Sequence, residues 1–239
     1  MSAFFDYPKS AAFGRVVPKN KIYEHAGANT ALKDLFVREV DQINWRFKLA
    51  PETINLNATA SVPEIQVFSI SLKTGKLDEA VLRAIDKAIP FPLIFELTWR
   101  GKRKAAAAFK RQSEADSAKW VISEYFATDW VPEETGRTPL PVALDLGALY
   151  DRLLTAIMPP EMGTPRQGDE DIQARVDRME AIRAKTREVE RIKARLAREK
   201  QYNKRVAINA ELRMANQELA ELKSTDAVRA NALSAATNK

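Results

Sequence analysis

The stretch from Asp171 to Lys223 constrains the fold more than any other part of the chain, because it contains no proline and no glycine. Apolar residues recur there at steps of three and four among dense charge, which is the pattern of one face of an α-helix. A helix of this length cannot bury such a stripe against itself, so it requires another helix, from this chain or from a partner. One stripe comprises Met179, Ile182, Thr186, Val189, Lys193 and Leu196, and the other comprises Ile208, Leu212, Ala215, Leu219 and Leu222.

The two stripes are out of phase, and the break falls near Gln201–Lys204. One interpretation is a helical hairpin, in which residues 171–200 fold back on residues 206–223. The other is a single bent helix of roughly 80 Å, which the absence of glycine and proline at the break slightly favours. We predict that the apolar stripes bind a partner, through Met179, Ile182, Val189, Leu196, Ile208, Leu212, Leu219 and Leu222.

Positive charge is concentrated in the same region. Residues 183–205 carry ten basic and three acidic side chains, an excess of seven, whereas the whole chain has a net charge of +6. Clustered Arg and Lys displace the counterions of nucleic acids, so the segment predicts a nucleic-acid interface. The alternative is a solvated helix face with ion pairs such as Glu188–Arg191 and Glu199–Arg195. The candidate nucleic-acid-binding residues are Arg183, Lys185, Arg187, Arg191, Lys193, Arg195, Arg198, Lys200, Lys204 and Arg205, with Lys102, Arg103 and Lys110 from a second basic cluster.

The N-terminal part predicts a mixed α/β (α+β) domain with a central, mostly antiparallel sheet. Alternating or continuous apolar runs predict strands, and 3.6-residue periodicity predicts helices. Residues 51–63 predict a loop. The predicted strands are 42–49, 65–72, 92–99, 103–111 and 120–130, and the predicted helices are 30–40, 77–89 and 144–158. The expected organisation is an α/β domain over 1–158, a Pro/Gly-rich linker over 159–168, a basic coiled-coil-like helical arm over 169–223 and a flexible tail over 224–239.

Composition excludes several kinds of catalytic site. The chain has no cysteine and one histidine, His25, so disulfides, Cys-ligated zinc and thiol nucleophiles are excluded. No phosphate-binding glycine loop is present, and we predict no bound cofactor. One enzymatic alternative stays open, a metal-dependent nuclease with an atypical acidic site drawn from Glu64, Asp86 and Glu96. The start of the chain lacks the pattern of a signal peptide, and no apolar run is long enough to span a bilayer, so we expect a cytoplasmic protein.

Several segments together resemble a bacterial family that has no assigned function. They are residues 43–56, 63–68, 84–90, 108–111 and 198–206. The resemblance extends over nearly the whole chain. It implies partners, because members of that family are typically encoded beside a superfamily 2 helicase and a site-specific DNA methyltransferase, in loci resembling restriction–modification or phage-defence islands.

The sequence therefore predicts a non-catalytic accessory subunit of a bacterial DNA-processing defence complex. Its helical arm would serve assembly, its basic surface would lie near DNA, and its protein partners would be helicase or methyltransferase subunits. Two alternatives stay open: the nuclease described above, and a homodimeric coiled-coil scaffold without DNA contact.

Overall fold

The computed structural model describes residues 3–113, 115–116, 119–159 and 171–224. The chain divides into two compact units, residues 1–164 and residues 165–239. Most of the predicted linker (159–168) and all but the first residue of the predicted tail (224–239) lie outside the described residues. Within the described part, no helix combines the length and the apolar content that crossing a membrane requires.

The first unit is built on a mixed sheet whose strands follow the order β2-β3-β4-β5-β6-β7. Within this strand order, as far as the structure describes it, the parallel pair is β4–β5, and the connection between these two strands contains a helix, as a parallel pair requires. The prediction of a mostly antiparallel central sheet is therefore confirmed. The strands are β2 (Ala12–Val16), β3 (Val40–Leu49), β4 (Ile65–Leu72), β5 (Leu93–Trp99), β6 (Lys102–Gln112) and β7 (Trp120–Ala127); β8 (Val131–Pro132) also pairs with β6, and β1 (Phe5–Asp6) pairs with β9 (Thr138–Pro139).

Three helices form one core with this sheet: α1 (Lys19–Ala26), α2 (Thr30–Glu39) and α4 (Glu79–Ala88). A row of aromatic rings runs across the same face, and successive ring centroids lie 3.9 to 6.5 Å apart. Each such contact contributes about 0.5–1.5 kcal/mol beyond its buried area. The row therefore ties together strands that are distant in sequence. Its members are Phe13, Trp45, Phe68, Phe95 and Tyr125.

Helix α5 (Leu146–Ile157) packs on β6. The Tyr150 hydroxyl donates to the carbonyl of Ala108 (2.8 Å) and accepts from the backbone N–H of Lys110 (3.1 Å). Residues 105–108 are four consecutive alanines, and all are buried. Such small side chains suit a strand that packs closely with its neighbours, which explains why this strand forms despite its low β-propensity.

The predicted helices and strands of this unit are confirmed, with ends shifted by a few residues. Asn29 caps α2 by accepting from the backbone N–H of Leu32 (2.9 Å). The prediction of a loop over residues 51–63 is wrong at its start, where Pro51–Ile54 form a single-turn helix, α3. Proline favours the first position of a helix, and the Thr53 hydroxyl accepts from the N–H of Ala50 (2.9 Å).

The second unit is a helical hairpin of α6 (Ile172–Arg198) and α7 (Tyr202–Ser224). Its core contains Val189, Ile192, Ile208 and Ala215, with Leu196, Leu212 and Leu219 packed around them. The slight preference for one continuous helix is therefore wrong. The first stripe also runs through Ile192 and not through Lys193, which is exposed.

Candidate nucleic-acid interface

Glu199, Lys200 and Gln201 link the two helices of the hairpin. The Glu199 carboxylate accepts from the backbone N–H of Gln201 (2.8 Å), and its carbonyl accepts from the Arg205 guanidinium (3.2 Å). Hydrogen bonds from backbone N–H groups, that of Gln201 above all, lower the pKa of the Glu199 carboxyl. Glu199 has extended backbone angles (φ −77°, ψ 130°), so the chain reverses here without the positive φ that would require glycine.

An arginine ridge lies on the face of α6 opposite the hairpin core. We define it as Arg187, Arg191 and Arg198, which lie on one face because helical steps of four, three and four residues connect them through Ala194. All three side chains are exposed, and Arg183 lies on the same side, half-buried. The ridge extends about 16 Å along the helix.

A second group of bases surrounds the link between the helices. We call Lys200, Lys204 and Arg205 the turn cluster; all three are exposed. Lys204 and Arg205 lie in the first turn of α7, which contains no acidic residue. The helix dipole favours acids at this position, so these bases do not serve the stability of α7. Arg198, at one end of the ridge, and the turn cluster both lie at the closed end of the hairpin, which concentrates positive charge there.

Three further predicted bases of α6 form ion pairs. Lys185 contacts Glu188 (2.8 Å) and Glu218 (2.6 Å), which raises the pKa of its ammonium group. Lys193 contacts Glu190 (2.8 Å). Arg195 contacts Glu211 on the opposite helix. These pairs replace the two that the sequence suggested, and Lys185, Lys193 and Arg195 contribute less charge to a nucleic-acid surface than their number implies.

The second basic cluster divides differently. Lys102 is exposed beside the Arg100–Gly101 turn between β5 and β6, but Arg103 and Lys110 are buried. The Arg103 guanidinium lies 4.2 Å from the ring centre of Phe4 and donates to the carbonyl of Thr135. The prediction that Arg103 and Lys110 contact nucleic acid is therefore wrong, because both point into the protein from β6.

Lys110 belongs to a buried polar cluster with Asp86 and Tyr125. Its ammonium group donates to the carbonyls of Asp86 and Ile89 and lies 3.5 Å from the Asp86 carboxylate. The Tyr125 hydroxyl donates to the other carboxylate oxygen. Burial raises the pKa of Asp86 to about 6 against the opposing effect of Lys110, and burial lowers the pKa of Lys110. The cluster joins α4 to β6 and β7.

The three acids of the nuclease alternative do not come together. Asp86 lies on α4, on the sheet face that carries Leu93, Phe95 and Leu97. Glu96 alternates with those residues along β5, so its side chain lies on the opposite face. There it forms two hydrogen bonds with Arg137 (2.8 and 2.7 Å), which raise the pKa of the guanidinium.

Glu64, the third acid, contacts Lys48 (3.3 Å) and accepts from Gln66 (2.5 Å). In the part of the chain that the structure describes, no three acidic or histidine side chains are arranged to hold a metal ion.

Most of the predicted partner-binding residues are covered by their own chain. Val189, Leu196, Ile208, Leu212 and Leu219 pack in the hairpin core, so the partner helix that these predicted partner-binding residues require is supplied by the same chain. The phase break between the stripes allows the chain to fold back, and each helix then covers the other. Met179 and Ile182 are buried outside this core, and Leu222 is half-buried.

Comparison with known proteins extends across both units. Residues 5–219 match the family described as "Domain of unknown function (DUF4391)". The chain belongs to the DUF4391 family. Neither the curated proteins nor the solved structures contain a match to this DUF4391 chain.

Sequence reasoning missed three features of this DUF4391 protein. The arginines of the ridge recur in the sequence at steps of three and four residues, but only the packing of the hairpin shows that this face of α6 is exposed. The Asp86–Lys110–Tyr125 cluster joins residues up to 39 positions apart, and no local pattern marks it. The exposed apolar pair is Val142, which precedes the predicted helix 144–158, and Leu144, its predicted first residue; these side chains are 87% and 90% exposed.

Proposed function

We propose that this DUF4391 protein is a non-catalytic accessory subunit of a bacterial DNA-processing defence complex, in which the closed end of the helical hairpin contacts the DNA backbone. The observation that carries the proposal is the surface formed by the arginine ridge and the turn cluster. Basic side chains there are exposed on a scaffold whose apolar residues already pack within the hairpin core. Phosphate contacts of this kind position a protein on DNA without reading its sequence, so specificity would come from the partners.

A role as a subunit has separate support. Val142 and Leu144 are two large apolar side chains that lie almost fully exposed on one loop, a feature typical of protein-binding surfaces. The family resemblance implies that helicase and methyltransferase subunits are the partners of this chain, and these are the partners that we propose. Since the hairpin stripes are covered within the chain, we assign the docking of such a partner to the Val142–Leu144 loop.

The test is DNA binding measured as a function of salt. We expect the full chain to bind duplex DNA with an affinity that falls steeply between 50 and 200 mM salt. Replacing Arg198, Lys200, Lys204 and Arg205 by Gln should reduce the slope of log K against log salt by about 3–4, because each lost phosphate contact removes about 0.9. The matched control replaces four exposed lysines of the first unit by Gln, namely Lys9, Lys33, Lys76 and Lys87.

Equal slopes for the two quadruple variants would refute the assignment of DNA contact to the hairpin.

The same samples, incubated with magnesium and supercoiled plasmid, test the enzymatic alternative. If the protein nicks the plasmid and Asp86→Ala or Glu96→Ala abolishes the nicking, the nuclease hypothesis would be favoured over the accessory role. A protein that forms concentration-dependent oligomers and shows no salt-sensitive DNA binding would favour the scaffold.

A further inference from the structure

A cavity of about 340 Å³ opens in the first unit between α1, β3, β4 and the segment that follows α4. Its walls are mostly apolar and include the aromatic rings of Trp45, Phe68 and Phe91. The size is at the lower end of the range for small-molecule sites, which fits a single ring system better than an extended ligand. Three polar side chains also line it: Lys21, His25 and Gln66.

Gln66 is one of the residues that line this cavity, and its amide group is held in place. The side chain is almost completely buried (3% exposed), and its Nε2 donates to the Glu64 carboxylate, which Lys48 holds in turn. A carboxylate only accepts, so this contact fixes which end of the amide is nitrogen and directs Oε1 elsewhere. Among the described residues Oε1 has no hydrogen-bond partner. This oxygen is not fully inaccessible. The little surface that Gln66 keeps therefore includes this oxygen.

His25 adds a second acceptor. Its Nδ1 lies 2.8 Å from the carbonyl oxygen of Lys21, one helical turn earlier. A carbonyl oxygen accepts, so Nδ1 carries a proton, and in the tautomer that carries only this proton Nε2 is the atom left to accept. The Lys21 ammonium group, the one cation among the lining side chains, contacts Glu24 (3.3 Å). The polar part of the cavity thus offers acceptors to a donor-bearing ligand.

We propose that this cavity binds a nucleobase that carries an exocyclic amine, with the amine donating to Gln66 Oε1 and the ring lying against the aromatic wall. An amide oxygen on a side chain that is almost buried keeps little access to water, and a ring amine would donate a hydrogen bond to it. The flat heteroaromatic ring fits walls made of Trp45, Phe68 and Phe91. Such a base can belong to a free nucleoside or to an unpaired nucleotide of DNA, and both present the same chemistry to the cavity.

The test compares adenosine with purine riboside, which is adenosine without its exocyclic amine. Titrations of the full chain, followed by ligand-observed NMR, should show that adenosine binds at least about tenfold more tightly than purine riboside. Purine riboside lacks the amine, so the acceptor on Gln66 is left without a hydrogen bond. Gln66→Leu should remove this difference. The exposed Gln42→Leu on β3 is the matched control and should leave it unchanged. His25→Ala alters an exposed residue and should weaken adenosine binding severalfold even if Gln66→Leu fails to fold.

Equal affinity of the wild-type protein for the two ligands, or no binding of either at several millimolar, would overturn the proposal. A single-stranded oligo(dA) titration then separates the two sources of the base. Competition between oligo(dA) and adenosine that depends on Gln66 would assign the cavity to unpaired DNA. If oligo(dA) binding is unaffected by Gln66→Leu but is lost when the turn cluster is replaced, the cavity is assigned to a free nucleoside. The inference does not depend on the proposed function, because neither the ridge nor the turn cluster lines this cavity.

Discussion

At the scale of single residues, the most consequential arrangement is a buried charge pair. Asp86 and Lys110 are both almost inaccessible, and they connect α4 to β6 through one carboxylate and two backbone carbonyls. A buried pair adds little net stability over an apolar one, but breaking it leaves an uncompensated charge in the interior. The two residues therefore depend on each other.

Lys110→Met should lower the free energy of unfolding of the first unit by about 3–5 kcal/mol, because Asp86 then lacks its cation. Combining it with Asp86→Asn should recover at least about 1 kcal/mol relative to the sum of the single changes. Urea unfolding followed by tryptophan fluorescence measures this, since all four tryptophans lie in the first unit. Lys102→Met, an exposed change on the same strand, is the control. Strict additivity of the two changes would contradict the coupling.

The raised pKa of Asp86 predicts how stability depends on pH. The folded-state pKa, about 6, lies above the ordinary value of 3.8, so the native state binds this proton more tightly than the unfolded chain. Its stabilising effect is complete below about pH 4 and is lost as pH rises through about 6, a change of at most about 3 kcal/mol. Asp86→Asn should flatten this part of the stability curve in urea titrations. A curve of unchanged slope between pH 4 and 6 would show that Asp86 does not cause it.

At the scale of elements, the hairpin shows why a charged helix with an apolar stripe need not seek a partner. Val189 and Ile192 of α6 meet Ile208 and Ala215 of α7, and the Lys185–Glu218 and Arg195–Glu211 pairs flank this core. Exposed ion pairs contribute little, so the apolar contacts hold the helices together.

Ile208→Asp should separate the helices, because it places a charge in the hairpin core without a partner. Val206→Asp is the matched control, since Val206 lies two residues away and is half exposed. We expect hydrogen exchange of residues 185–220 to accelerate at least tenfold in Ile208→Asp only, with the tryptophan fluorescence of both variants unchanged. Comparable protection in the two variants would mean that the core contacts do not stabilise the hairpin.

At the scale of the whole molecule, the two units carry different kinds of surface. The hairpin presents bases, whereas the α/β unit presents an apolar loop at Val142 and Leu144. This division fits a subunit that binds a protein with one unit and DNA with the other.

A pull-down from the native host should therefore recover a helicase or methyltransferase with the full chain, and Val142→Asp combined with Leu144→Asp should abolish that recovery. A truncation ending at Pro160 should retain the partner if the loop docks it, and should lose the partner if the hairpin does. Exposed Val121→Asp on β7 is the control. Failure of both the full chain and the truncation to bring down a DNA enzyme would contradict the accessory role.

The sequence by itself determined most of the secondary structure of the first unit and the concentration of positive charge in the C-terminal part of the chain. Periodicity predicted α2, β3, β4, α4 and the β5–β6 hairpin, because the core selects apolar residues at the period of each element. It also indicated the excess of bases between Arg183 and Arg205. Only the tertiary structure decided which of those bases are exposed, because an ion pair such as Arg195–Glu211 requires the second helix. It also decided that Lys110 is buried, since its partners, Asp86 on α4 and Ile89 just after that helix, are 24 and 21 positions away in sequence and no local pattern records a contact of that range.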